Sequence, residues 1–366
     1  MTLSFCSRAL NALARTLLIA CALPAAADAQ STAGAPSSLP LQQLQRSAEK
    51  EGKLSSVGMP DSWANWKATW DDLQRLYRIQ HVDTDMSSAE EIAKMIAEGS
   101  NARVDIGDIG YEFAELAKSR GITAPYKPST WSQLPSWARD PDGHWMIAYT
   151  GTIAFAVNRH RLKKTLRSWK EVLASDARVC IGEVGRAAQA NAGVLSMAIA
   201  LGGGESHLNP ALDAFARLAK QGRLLMVNPS PALMERGEAD VFVLWDFNGL
   251  TYRSTLPNKD DYDIVIPTDG SVTSGYTTII NRHAPHPAAA RLTREYIFSD
   301  AGQLNLARGY ARPIRIDHLK LPADVSARLI DSKQYAAARP VRISEWTTAV
   351  TTLGARWQSG VVANAP

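Results

Sequence analysis

Along the chain, apolar positions switch repeatedly between a two-residue and a 3.6-residue period, and the switching follows one scheme: strand, turn, helix. The pattern predicts a helix over 44–51 that stops at Gly52, and a strand over 53–57. A second helix has Asp61 or Ser62 as its N-cap and Trp63, Trp66, Trp70 and Leu73 at helical spacing. A strand over 77–82 follows, then a helix opened by a Ser88–Glu91 capping box and stopped by Gly99. A strand over 104–109 runs through Gly107-Asp108-Ile109-Gly110-Tyr111 into a helix ending at Arg120-Gly121. Three such units argue an α/β lobe with its turns aligned at one edge of the sheet.

Residues 124–137, rich in Pro and Trp, read as a packed surface loop, and Asp140-Pro141-Asp142-Gly143 as a turn. Residues 144–158, HWMIAYTGTIAFAVN, then read as one or two strands broken at Tyr149-Thr150-Gly151-Thr152. A glycine there marks either a bend or a close approach by something else.

After Asn158 the scheme restarts. A capping box at Ser168 and Glu171 opens a helix to 173, and a strand covers 178–181. Residues 182–189 lead into a helix through 201, and Asn209-Pro210 starts another to 221. A strand over 224–228 is followed by a short helix capped by Ser230 and a strand over 241–245 that ends in Asp246-Phe247-Asn248-Gly249. Strands over 263–267 and 277–281 flank Thr273-Ser274-Gly275-Tyr276, so 272–281 is a second crossing between lobes. Helices over 287–298 and 301–308 and a helical region over 323–358 complete the chain. The division expected is 44–150 plus 276–318 for one lobe, 151–275 for the other, and 319–366 packed on both.

At 366 residues the chain is too long for one ordinary core, which agrees with two lobes. The first 29 residues read as an export signal: Arg8 and Arg15, an apolar run over 16–23, and Ala27-Asp28-Ala29 as the cleavage site. Leu18-Ile19-Ala20-Cys21 is a competing lipobox, but the apolar run continues past Cys21, which favours cleavage near Ala29. Residues 30–43 read as a linker. The mature chain is then periplasmic and keeps one cysteine, Cys180, in an apolar run that suits a buried, inert thiol. The signal carries two basic residues and one acidic one, so its loss takes the formal charge from +4 to +3. No basic cluster stands out, and nucleic acid is not an expected partner.

No nucleophile elbow, His-Glu-x-x-His or Cys-x-x-Cys occurs, and the seven histidines are scattered. The expectation is binding without catalysis, metal or cofactor. Candidate ligand contacts are the strand-end residues: Asp61, Ser62, Trp63, Ser87, Ser88, Asp108, Tyr149, Thr150, Arg186, Trp245, Asp246 and Tyr276. Arg186, at a helix N-terminus, suits an anion as well as it suits plain solvation.

Ile266-Pro267-Thr268-Asp269-Gly270, residues 284–290, Phe298-Ser299-Asp300-Ala301-Gly302-Gln303 and Ala311-Arg312-Pro313-Ile314 follow one another in this order. In that order and spacing they resemble family 1 extracellular solute-binding proteins of ABC importers. Residues 97–105, 145–158, 168–173 and 237–240 are similar as well, and together the pieces reach over roughly 50–345. The resemblance implies a periplasmic-binding-protein type II fold, two α/β lobes joined by two crossover strands that close on ligand. It implies a monomer that delivers a small polar solute to a membrane permease and its ATPase. The branch includes receptors for polyamines, ferric iron, thiamine and phosphonates. The adjacent tyrosines of its iron receptors are missing here. Trp245-Asp246 suits an ammonium; Ser87, Ser88, Thr150, Thr152, Ser274, Thr277 and Arg186 suit a phosphonate or carboxylate, and the sign of the ligand's charge stays open. An exported enzyme or a chemoreceptor-linked sensor on the same fold is the alternative.

Overall fold

The structure, a computed structural model, describes residues 41–365. The expected signal over 1–29, with Cys6 and Cys21, and the linker up to residue 40 lie outside the described residues. Among the described residues there are twelve strands: β1 (Lys53–Val57), β2 (Gln80–Thr84), β3 (Ile106–Gly110), β4 (Thr123–Ala124), β5 (Trp145–Asn158), β6 (Val179–Cys180), β7 (Leu224–Leu225), β8 (Val241–Trp245), β9 (Tyr262–Val265), β10 (Ser271–Asn281), β11 (Arg312–Pro313) and β12 (Ala338–Pro340). Their order is β2-β1-β3-β10-β5-β8-β6-β7, with β4 and β12 added to β10, and β9 and β11 to β5.

Two parallel groups result. β1 pairs in parallel with β2 and β3, and β6 with β7 and β8, as expected of strands connected through helices. The long strands β5 and β10 join the groups, and they run antiparallel to each other and to the parallel strands they touch. β5 changes partner halfway. From Trp145 to Thr152 it pairs with β10, and from Ile153 to Asn158 it lies between β8 and β9. The sequence left open one or two strands here, and the structure has one of 14 residues. The register shifts where consecutive Tyr276 and Thr277 of β10 pair with Tyr149 and Ile147, so the extra residue is Ala148 of β5.

Several expected boundaries are corrected by tertiary contacts. The first helix is Leu41–Glu51, so residues 41–43 belong to it rather than to a linker. The tryptophan-bearing helix is Trp66–Tyr77 and not one capped by Asp61 or Ser62. Its N-cap is Asn65, and Ala64 and Asn65 both take positive φ (49° and 59°) where Gly309 presses on them and Asn65 Nδ2 donates to Asn305 O at 2.9 Å. Tyr77 therefore closes that helix, and the strand begins only at Gln80.

The capping box of Ser88–Glu98 is Ser87 with Glu90, one residue ahead of the expected pair. Both pairs have the right spacing; Ser88 and Glu91 are taken by the core, where Ser88 Oγ accepts from Gly110 N (3.0 Å) and Glu91 Oε2 from Asp108 N (3.2 Å). After β8 the chain forms a helix, Asp246–Thr255, that periodicity did not indicate. The last region is mixed rather than helical: Ala323–Ser326, the 3-10 turn Ser332–Ala337, β12, and the long helix Ile343–Gly360.

Two buried charges fix this framework. Arg294, fully buried in the helix Pro287–Ile297, donates through Nη1 to Tyr126 O (3.1 Å) and Gly143 O (3.0 Å). Its Nη2 reaches Thr278 O (2.9 Å) and His144 O (3.5 Å), tying the helix to the start of β5 and the end of β10. Glu205, also fully buried, accepts from Arg339 Nη1 and Nη2 (both 2.7 Å) and from Arg342 N (2.9 Å) and Nη2 (2.9 Å), and so anchors the C-terminal segment.

Candidate functional site

The carboxyl ends of β1, β3 and β8 converge where β5 and β10 cross, and the side chains there are mainly aromatic. Tyr149 of β5 is fully buried. Its hydroxyl donates to Asp108 Oδ2 at 2.5 Å and accepts from Trp63 Nε1 at 2.7 Å. Its ring stacks on Tyr276 of β10, with centroids 5.6 Å apart and planes within 9°. Trp245, the last residue of β8, donates through Nε1 to Tyr276 Oη at 3.0 Å. Trp63 meets Phe247 and Tyr276 edge-on, each at 5.4 Å. Trp63, Tyr149, Trp245, Phe247 and Tyr276 thus form a five-ring box with a half-exposed Trp63 at its rim. Offset and edge-on pairs of this kind stabilise beyond their buried area.

Gly151 makes the box possible. A Cβ at that position would lie 2.7 Å from Phe247 Cε1 and 3.1 Å from Trp245 Cδ2. Of the two readings of this glycine, bend or close approach, the structure shows close approach. Gly151→Ala is expected to cost about 1–3 kcal/mol through overpacking, read as a lower midpoint of urea unfolding. A midpoint equal to that of the parent protein would mean the rings shift freely.

Carboxyl groups surround the rings. Burial pushes Asp108 up to about 8, against the opposing hydrogen bond from Tyr149. Burial likewise pushes Glu112 up to about 7, and Glu91 well above the usual carboxylate range, where the charge of Asp108 adds to the effect. Asp108 Oδ1 and Glu112 Oε1 are buried without a hydrogen-bond partner, as are Asn191 Nδ2 and Ser274 Oγ. Trp66 and Asn191 lie near enough to ease the ionisation of Asp108 and Glu112, yet neither nitrogen completes a hydrogen bond. Unpartnered buried polar atoms are costly and normally few.

Of the residues expected at the site, Trp63, Asp108, Tyr149, Trp245 and Tyr276 are brought together. Asp61 and Ser62 lie in an exposed turn ahead of them. Ser87 caps its helix and Ser88 holds Gly110 N. Thr150 is half-buried between Gly275 and Arg312, its backbone paired on both edges. Arg186 is half-exposed and paired with Glu90 at 2.6 Å. Asp246 is spent on the fold: Oδ1 accepts from Thr152 N (3.0 Å) and Phe247 N (2.9 Å), and Oδ2 from Tyr335 Oη (2.6 Å). Burial still holds its carboxyl at about 6.

Glu112, Asn191 and Phe247 join the site without having been among the expected contacts. Glu112 could have been found by its place two residues after Gly110, in the strand-end turn. Asn191 sits inside a helix, where nothing in the spacing marks it. Cys180 is fully buried and its thiol is pushed up to about 12, which makes it inert. Among the described residues no three His, Cys, Asp or Glu side chains converge as a metal site. A cavity of about 670 Å³ lies away from the rings, between the Asp246–Thr255 helix, β9 and residues 327–334.

The model of the family described as bacterial extracellular solute-binding protein matches residues 104–335. No curated protein matches this chain in sequence. Among solved structures, the chain is similar to the periplasmic binding protein AfuA from Actinobacillus pleuropneumoniae, with fructose-6-phosphate bound, at 15% identity and TM-score 0.69, over 84% of this chain and 98% of that one. It is similar to AgtB from A. tumefaciens R10, in complex with agropinic acid, at 16% identity and TM-score 0.70, over 85% and 98%. A periplasmic thiamin binding protein follows at 16% identity and TM-score 0.67, over 84% and 96%. At such identities the likeness is one of fold: the two-lobe type II arrangement with two crossing strands. The family match covers well over half of the chain, which belongs to the bacterial extracellular solute-binding proteins.

Proposed function

We propose that this protein takes one small polar organic solute into the aromatic box and releases it unchanged. It is the substrate-binding component of an ABC transporter and presents its solute to a membrane permease driven by an ATPase. It works as a monomer in the periplasm, after removal of residues 1–29. The observation that carries the binding reading is the set of unpartnered buried polar atoms around the box, namely Asp108 Oδ1, Glu112 Oε1, Asn191 Nδ2 and Ser274 Oγ. A bound solute supplies what these atoms lack.

The lobes are 44–150 with 276–318, and 151–275, while 319–366 packs on them. On that division the contacts that span the cleft include Trp63 against Phe247, Trp245 with Tyr276, Gly110 against Ala188, and Glu90 with Arg186. Solute enters when they part, and the crossing strands act as the hinge. Tyr149 and Gly151 belong to one of those strands, which couples closure to binding.

The test is a thermal-shift screen of the mature chain over amines, sugar phosphates, phosphonates, amino acids and dicarboxylates. A solute present at about one hundred times its Kd is expected to stabilise the fold by about 2.7 kcal/mol. Turnover of a solute, with no solute stabilising the protein, would sink the proposal.

A further inference from the structure

We propose that the solute is an organic cation, a small aliphatic amine with one or two ammonium groups, whose charge is met by Asp108 and Glu112 inside the aromatic box. This rests on the solute-binding reading above and names the class of solute. Asp108 and Glu112 are at least nine-tenths buried, and each has one carboxyl oxygen without a partner. An ammonium offers three donors to such acceptors. The five rings supply the second half of the recognition, because their faces attract a desolvated cation.

An anion finds no comparable reception. The charges acting on Asp108 and Glu91 from neighbouring elements are themselves carboxylates: Asp83 of β2 on both, and Asp108 and Asp85 on Glu91. From β5 and β10 the box is faced by the tyrosine hydroxyls of Tyr149 and Tyr276, and Tyr276 feels Glu112, Asp108 and Glu91 together. From the helix Ala188–Ala200 Glu112 is faced by the neutral amide of Asn191. Arg186, the guanidinium expected to receive an anion, is exposed and already paired with Glu90.

The proton balance follows. In the empty site burial keeps Asp108 largely protonated near neutral pH and Glu112 about half protonated. An entering ammonium favours their carboxylate forms, so each carboxyl still protonated gives its proton to solvent as the salt link forms, and no bond to the solute is made or broken. Affinity for an amine must therefore rise with pH up to the range of the two acids.

The experiment is isothermal titration of the mature chain at pH 6, 7 and 8. The probes are 1,4-diaminobutane, propylamine and choline against fructose 6-phosphate, methylphosphonate, succinate and glucose. One of the amines is expected to bind, with affinity rising about tenfold per pH unit for each proton released and heats that depend on the buffer. Asp108→Asn and Glu112→Gln should each weaken that amine on the order of tenfold to a hundredfold and flatten the pH slope. Both should fold, since at pH 6 an amide replaces a group that is protonated in the empty site, and thermal unfolding at pH 6 verifies it. An anionic or neutral probe that binds more tightly than every amine, or an affinity that falls with pH, overturns the cation class but leaves the solute receptor intact. Amine binding untouched by both variants overturns the assignment of the two carboxyls. Should no solute of any class bind, in the probes or in the wider screen, the receptor reading falls as well.

Discussion

Replacing Arg294 by leucine lowers the free energy of unfolding by about 3–5 kcal/mol, the largest loss expected from any single change described above. The guanidinium is fully buried, with no carboxylate among its hydrogen-bond partners; backbone carbonyls of Tyr126, Gly143, His144 and Thr278 receive its protons. Leucine fills part of the volume but leaves those four acceptors facing one another in a dry interior, and each unsatisfied group costs about 1–3 kcal/mol. Lysine keeps the charge but loses the planar fork that reaches carbonyls on both sides, so Arg294→Lys recovers only part of the loss. Urea unfolding of both variants measures this. A loss below about 1 kcal/mol for leucine would place water at the carbonyls.

The second large effect depends on pH. Burial alone raises the carboxyl of Glu205, but hydrogen bonds from Arg339 and then Arg342 outweigh it and hold the group at about 2. A carboxyl whose pKa is depressed by folding adds stability above its unfolded value, and that stability drains away as pH falls through the folded value. Glu205→Gln is therefore expected to cost on the order of 3 kcal/mol at pH 7. The difference from the parent protein shrinks as pH falls from about 4.5 toward 2. Denaturant midpoints for both proteins at pH 7, 4 and 3 decide it. A penalty that stays constant with pH would mean that shape, not charge, holds residues 339–342 against Glu205.

The fold was legible wherever local chemistry and global packing agree. β1 and β8 begin and end where the apolar pattern placed them, and Ser168, Ser230 and Gly99 cap the helices they were expected to cap. Boundaries moved where a distant segment overrode the local signal. Gly309 and Asn305 delay the start of the Trp66–Tyr77 helix, and Gly110 draws Ser88 out of its capping box. The site divides the same way. Trp63, Asp108, Tyr149, Trp245 and Tyr276 could be placed because strand ends at a crossing are where a cleft forms. Asp246 and Arg186 could not be judged from sequence, since what uses up their charges, Thr152, Tyr335 and Glu90, lies between 89 and 96 positions away.

Strand β10 has one more consequence, and it concerns time. Its position between β3 and β5 means that neither can complete its hydrogen bonding until residues 271–281 exist. Thr277 Oγ1 bonds Ile109 O across 168 positions of chain, and Thr152 meets Thr273 across 121. Pairings so distant in sequence carry a large loop-closure entropy and make folding slow. While it is being synthesised, the chain therefore holds β3 and β5 with open edges and no stable central sheet. The central sheet, and with it the crossing that carries Tyr149 and Tyr276, closes only after most of the chain's length has been made.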